Sequence, residues 1–286
     1  MMSEAFGIDV SHYQGDIDWK EVSSDKKTFA ILKCQYEAQS HRKDECFEAN
    51  YKGAGENGLS RGVYIYIARS SMADPQKDAE SLLKHLDGRP LEYGIWLDLE
   101  DKTVEARGRI YIRDLAFLYA DMFKKAGYYF GIYCNRDWYS RLIHEDLKME
   151  FDFWIARYPS NDTGLYNAYS SLKPDNYGVA WQYSSKGRVK GIKGNVDLDV
   201  DFDGIINLAA GDKTNVNPYI APTRILKRSC IGYDVKWLQY ELVRRGYDIG
   251  EIDGIYGPKT ENGVIEYKKA NNLLGIVDVS TIELLK

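Results

Sequence analysis

At 286 residues, 44% hydrophobic and 28% charged, the chain is long for one domain and short for two large ones; one large and one small soluble domain fits best. A net charge of −5 argues against nucleic acid as the main partner, and no apolar run approaches a membrane span. The opening residues, MMSEAFGIDVSHYQ, carry neither a basic nor an apolar leader region, so no secretory signal is expected.

Over the first two hundred residues, short β-rich runs alternate with helical patterns. Residues 6–10 read as a strand, 19–26 as a short helix and 29–35 as a second strand. A helical stretch over 43–58 ends in glycine breakers before the third strand, GVYIYI at 62–67. Asp74 then Pro75 form an N-cap with proline at the first helical position, and that helix stops at Asp87-Gly88. The next strand is 93–99. The spacing of Ile110, Leu115, Leu118, Met122 and Phe123 predicts a long amphipathic helix ending near Gly127. Strand-like runs follow at 129–134, 153–156, 179–183 and 196–202. About eight strands separated by helices is the pattern of a closed parallel β/α barrel. Residues 160–176 show little helical pattern, so the barrel is expected to be irregular.

The fourth strand runs from an apolar start into Asp98, Leu99, Glu100 and Asp101. Side chains alternate along a strand, so Asp98 and Glu100 project to one side with Cα atoms roughly 6–7 Å apart. Paired acids at a buried strand end are costly unless hydrogen-bonded or used. Glycoside hydrolysis uses them, one carboxyl as general acid and one ionised. Asp9 ends the first strand and Asp197 lies in the last. In a closed barrel these strands are neighbours with the fourth across the mouth, so Asp9, Asp98, Glu100 and Asp197 can converge. Like charges so gathered raise at least one pKa. Lys33, Tyr64, Tyr66, Tyr133, Trp154 and Trp181 sit near strand ends as candidate sugar contacts, with barrel packing the alternative for each aromatic and a snorkelling surface lysine the alternative for Lys33. The 23 tyrosines and 6 tryptophans suit such a groove.

No metal and no cofactor is expected. His12, His41, His85 and His144 form no ligand-spaced pair, and Cys34, Cys46, Cys134 and Cys230 no C-x-x-C, so free thiols in a reducing compartment are the expectation. The run from Asp199 to Gly204 opens like a calcium loop, but its twelfth position is Ala210 where a bidentate glutamate is required.

Seven collinear segments carry a family resemblance: GIDVSHYQGDIDW at Gly7–Trp19, FAILKC at Phe29–Cys34, GVYIYI at Gly62–Ile67, IWLDLE at Ile95–Glu100, GIYCN at Gly131–Asn135, FWIARY at Phe153–Tyr158 and AWQYSSKGRVKGIKGNVDLDV at Ala180–Val200. Over roughly residues 5–207 the chain resembles glycoside hydrolase family 25, the muramidases of phage endolysins and bacterial autolysins. The resemblance implies an irregular β/α barrel that cleaves the β-1,4 bond between N-acetylmuramic acid and N-acetylglucosamine. It gives Glu100 the role of general acid, Asp98 that of its partner on the same strand, and makes Asp9 and Asp197 further acids of the site. Asp98 is left as nucleophile, as the group positioning the substrate's acetamido, or as the orienter of a water. Chitinase-type barrels compete with an acidic D-x-D-x-E on the fourth strand, but Trp96 occupies the first of those positions. Ile65 stands where a histidine is common in the muramidase pattern.

Residues 211–222 are polar, carry two prolines and read as a linker. The expected domains are 1–210 catalytic, 211–224 linker and 225–286 a small three-helix tail, with helices over 235–245, 258–270 and 280–285. From Asp212 onward there are 11 basic and 10 acidic residues against 27 and 33 before it, so the tail is no electrostatic clamp. The run from Gly232 to Leu273 resembles the type 1 peptidoglycan-binding domain, which implies attachment to the wall. Trp237 and Leu238 are expected in its core, and Asp253, Gly254, Tyr256 and Gly257 as turn-formers. The function this implies is a peptidoglycan muramidase, most simply a phage endolysin made in the host cytoplasm and released by a pore-forming holin. The alternatives are an autolysin of the same activity, a wall-binding protein with an inactive barrel, or a cytoplasmic glycosidase acting on small sugars.

Overall fold

The computed structural model describes residues 4–36, 41–202, 205, 219, 222 and 224–271. The chain divides into two compact units, Met1–Gly211 and Asp212–Lys286. In the first, eight strands close into a barrel in chain order: β1 (Ala5–Val10), β2 (Phe29–Lys33), β3 (Ser60–Tyr66), β4 (Ile95–Asp98), β5 (Phe130–Asn135), β6 (Asp152–Ala156), β7 (Ala180–Gly187) and β8 (Val196–Asp201). Helices α1 (Trp19–Ser24), α2 (Phe47–Glu56), α3 (Arg69–Ala73), α4 (Pro75–Leu86), α5 (Lys102–Glu105), α6 (Gly108–Lys125), α7 (Arg136–Arg141) and α8 (Glu145–Glu150) fill the connections as far as β6. Residues 157–179 form turns without helix or strand, the irregular stretch expected there.

Strands β1 to β7 run parallel, but β8 is antiparallel to both neighbours. The parallel pattern read from the sequence therefore fails at its last strand, for a reason of length. A parallel crossover needs about a dozen residues or more, and only residues 188–195 join β7 to β8.

Helix boundaries follow local chemistry. The Asp74 side chain accepts from the Lys77 N–H at 3.1 Å, Pro75 opens α4, and Asp87 closes it in the left-handed region at φ 50°. Helix α6 lies where expected, yet its buried face is Ile112, Leu115, Ala116, Tyr119, Ala120 and Phe123. Ile110 and Leu118, both counted in the apolar spacing, are exposed. Small alanines complete the true stripe, which is why large residues alone misplaced it.

Alternation along each strand separates two cores. Outward residues such as Ile8, Leu32, Ile65 and Leu97 pack under the helices. Inward residues Phe29, Ile31, Tyr93, Trp96 and Trp154 fill the barrel. Their rings occupy space that inward glycines vacate: a Cβ on Gly131 would stand 2.4 Å from the Trp96 ring, and one on Gly7 2.4 Å from Phe29. Trp96 is buried and donates its indole N–H to the Tyr93 carbonyl at 2.8 Å, so it has no room to retreat. Gly131→Ala is accordingly expected to lower unfolding stability by about 1–3 kcal/mol through overpacking. Urea unfolding measures it, and an unchanged midpoint would contradict this packing.

In the second unit, helices Tyr233–Arg244 and Pro258–Ala270 enclose a core of Val235, Trp237, Leu238, Leu242, Ile249, Tyr256, Val264 and Tyr267. The turn between them is held by Gln239, which donates to the Asp253 carboxylate at 2.8 Å and accepts from the Gly254 N–H at 2.8 Å. Asp253 and Gly254 thus serve the turn. The expected third helix at 280–285 and nearly all of the expected linker lie outside the described residues.

Candidate active site

Nine of the ten predicted site residues line one cleft of about 350 Å³ at the barrel mouth: Asp9, Lys33, Tyr64, Tyr66, Asp98, Glu100, Tyr133, Trp154 and Asp197. A wider hollow of about 900 Å³, bordered by α1, α2 and Gly191, gathers acids and lysines of both signs along an open surface and has no such convergence.

Three strands deliver the acids. Trp96, Asp98 and Glu100 alternate with the outward Ile95, Leu97 and Leu99, so Trp96 fills the barrel beneath while the acids rise into the mouth. Asp9 stands near the end of β1, in register with Asp197. Asp197 reaches the mouth because β8 is antiparallel: it lies near the strand's beginning, and a parallel β8 would have carried it to the opposite end of the barrel.

Electrostatics separate the acids. Asp98 is buried, whereas Glu100 stands exposed at the rim. Partial burial on the cleft side raises the Glu100 carboxyl, Asp101 adds to this, and the Lys33 ammonium opposes it. Lys33 is buried, with its ammonium 5.8 Å from the Tyr66 ring centroid and 5.7 Å from that of Tyr36. Burial, then Asp197 and Asp199, push Asp9 well up. Asp197 is pushed up to about 6, by burial first and then by Glu100 and Asp162.

A carboxyl raised in the folded chain stabilises the fold fully only below its unfolded value, here 3.8, and that contribution is lost as pH rises through about 6. Ionised Asp197 therefore strains the fold at neutral pH. Asp197→Asn is expected to raise stability there by about 1–2 kcal/mol, after discounting for partial exposure, and to give no such gain in acid. Urea unfolding at both pH values checks the sign; an equal change at each would refute it.

Trp181 is the exception among the predicted contacts. It pairs in register with the outward Ile155, packs beside Tyr166 and Tyr183, and donates to the Arg157 carbonyl at 2.8 Å. Its neighbour Gln182 takes the inward place. The Gln182 amide donates to Asp9 at 2.6 Å, while its oxygen accepts from the hydroxyls of Tyr133, at 2.7 Å, and Tyr158. Tyr13, Tyr158, Gln182 and Ser185 complete the lining and were missed in the sequence. For Gln182 the signal was present, since period-two counting from β6 across to β7 puts it inside. Ile65, the departure from the family pattern, faces the outer core and not the cleft. Asp199 and Asp201 also turn into the barrel, where Asp201 accepts from Tyr93 at 3.0 Å and from the Ile205 N–H at 2.9 Å.

The model of glycosyl hydrolases family 25 matches residues 8–192, more than half of the chain. The chain belongs to glycosyl hydrolase family 25. Among its relatives, an autolytic lysozyme of Clostridium acetobutylicum is 26% identical over 271 residues, covering 93% of this chain and 74% of that protein. Lysozyme M1 of Streptomyces globisporus is 28% identical over 213 residues, covering 69% and 67%. The crystal structure of a bacterial lysozyme from Streptomyces coelicolor matches with a TM-score of 0.54 at 26% identity, covering 73% of this chain and 98% of that one. A second model, described as a putative peptidoglycan binding domain, matches residues 232–285. The family 25 match spans Asp9, Asp98 and Glu100, whereas Asp197 lies beyond its end.

Proposed function

We propose that the cleft hydrolyses the β-1,4 bond between N-acetylmuramic acid and N-acetylglucosamine in peptidoglycan, and that the second unit holds the enzyme to the wall. The observation that carries this reading is the meeting of Asp9, Asp98, Glu100 and Asp197 in one cleft beside Tyr64, Tyr66, Tyr133 and Trp154. Glu100, raised and solvent-reachable, protonates the glycosidic oxygen as the bond lengthens. Asp98, buried on the same face of the same strand, supports the positive charge that develops at the anomeric carbon. Tyrosine rings offer apolar faces to the sugars with polar edges for their hydroxyls. Lys33 presents a cation opposite Glu100, positioned to meet substrate oxygens.

Mass analysis of fragments released from purified walls tests the reading. Muramic acid at the new reducing ends is expected. Glucosamine there, or free stem peptides, would mean that another bond is cut.

The finer reading is an endolysin that reaches the wall through a holin pore, while an autolysin would share the chemistry and differ in delivery. Expression in bacterial cytoplasm with and without a co-expressed pore-forming membrane protein separates them. Lysis only with the pore is the endolysin result.

A further inference from the structure

The turn that leaves β1 carries an aromatic ring that the fold supports but does not bury. Residues His12–Gln14 form a single 3-10 turn. The Ser11 hydroxyl accepts from the Tyr13 N–H at 3.2 Å, and the Ser11 N–H donates to the Gln14 side chain at 2.9 Å. These reciprocal bonds fix the backbone of the turn. Tyr13 lines the cleft and is 80% exposed. Its ring lies on that of His12, with centroids 4.1 Å apart and planes inclined by 36°. One face of the phenol is therefore covered, and the other is open on the cleft.

The support behind that ring is built from a buried group. Asp44, in the connection between β2 and α2, is buried, and its Oδ2 accepts from His12 Nδ1 at 2.7 Å and from the His12 N–H at 3.3 Å. Its Oδ1 accepts from the Cys46 N–H at 2.9 Å. A carboxylate only accepts, so Nδ1 carries the hydrogen and the imidazole is set in place. Tyr36 packs on the same imidazole with centroids 4.7 Å apart, and the Arg42 guanidinium lies 4.7 Å from the Tyr36 ring. A side chain free to turn loses rotamer entropy when a ligand lands on it, whereas one already held loses little. A tyrosine that only meets water gains nothing from such backing.

We infer that the open face of Tyr13 is a platform for a pyranose ring of the glycan, outside the two sugars that flank the scissile bond, and that His12 and Asp44 are positioning residues for it. This deepens the muramidase reading and rests on it. A β-1,4-linked pyranose presents a face of C–H groups, which suits the face of an aromatic ring. The platform follows β1, three strands around the barrel from the β4 that leads into Glu100, so it stands apart from the bond being cut.

Soluble peptidoglycan glycans freed of stem peptides and graded by length test it. In the unsubstituted chain, KM is expected to fall once the glycan is long enough to reach the platform. Tyr13→Ala is expected to abolish that fall, raising KM on long glycans by about 3- to 10-fold with kcat little changed, the worth of one aromatic contact. Because Tyr13 is exposed, its replacement leaves the fold intact. Tyr13→Phe keeps the face and is expected to keep the low KM. His12→Ala is expected to raise KM less, and to add nothing to Tyr13→Ala, since it acts through that ring. A KM that ignores Tyr13 at every length overturns the inference, as does a Tyr13→Phe that behaves like Tyr13→Ala, or an effect confined to kcat. Additive effects of the two alanine variants would overturn the positioning role of His12. Failure to cleave any glycan would refute the muramidase reading and this inference with it, whereas cleavage with an unaltered KM refutes the platform alone.

Discussion

Glu100→Gln is expected to lower kcat for wall hydrolysis by at least about 10²–10⁴, the usual worth of a positioned general acid. The substituted amide has the size of the carboxyl but no proton to give to a leaving alkoxide. Because Glu100 sits exposed past the end of β4, its loss removes no core contact, and stability is expected to stay within about 0.5 kcal/mol. Wall retention, which the proposal assigns to the second unit, should be unchanged. The raised carboxyl adds a pH signature: the protonated fraction persists towards neutrality, and activity falls as pH rises through the elevated value. Release of reducing ends, a thermal melt and co-sedimentation with walls measure the three quantities. Near-normal wall clearing by the variant would take the role away from Glu100.

Much of this site was legible in the sequence because it depends on parity. Once β4 is placed, alternation puts Asp98 and Glu100 on one face, and chain-order closure brings Asp9 alongside. Asp197 lines the cleft as expected, but the argument that placed it there was incomplete. The strand-end rule applies to parallel strands, and Asp197 reaches the mouth only because the short β7–β8 connection reverses β8. Trp181 shows the opposite failure. A tryptophan near a strand end is an attractive sugar platform, but its neighbour Gln182 faces inward and polar, while Trp181 joins the aromatic layer outside the barrel. Asp199 passed unnoticed as the start of a calcium-like motif. Its place is set by the Trp154 indole N–H that it accepts, 45 residues away in sequence, and no local pattern signals a contact of that range.

Asp98→Asn carries the second large expected effect, and its kinetic form matters more than its size. Asp98 is buried at the inward end of β4, level with Tyr66 on β3 and Tyr133 on β5. Held there, its charge gains little from a neutral sugar and much from an anomeric centre turning positive. Interactions stronger in the transition state than in the ground state appear in kcat, whereas uniform ones appear in KM. The asparagine keeps shape and hydrogen-bonding capacity but loses the charge. We therefore expect kcat to fall by about 10²–10³ with KM little changed, the scale seen when one preorganised electrostatic group is removed. Steady-state kinetics on soluble glycan fragments give both constants. A KM that rises at constant kcat would reduce Asp98 to a substrate anchor, and the charge opposing the oxocarbenium centre would then have to come from another acid of the cleft, such as Asp197.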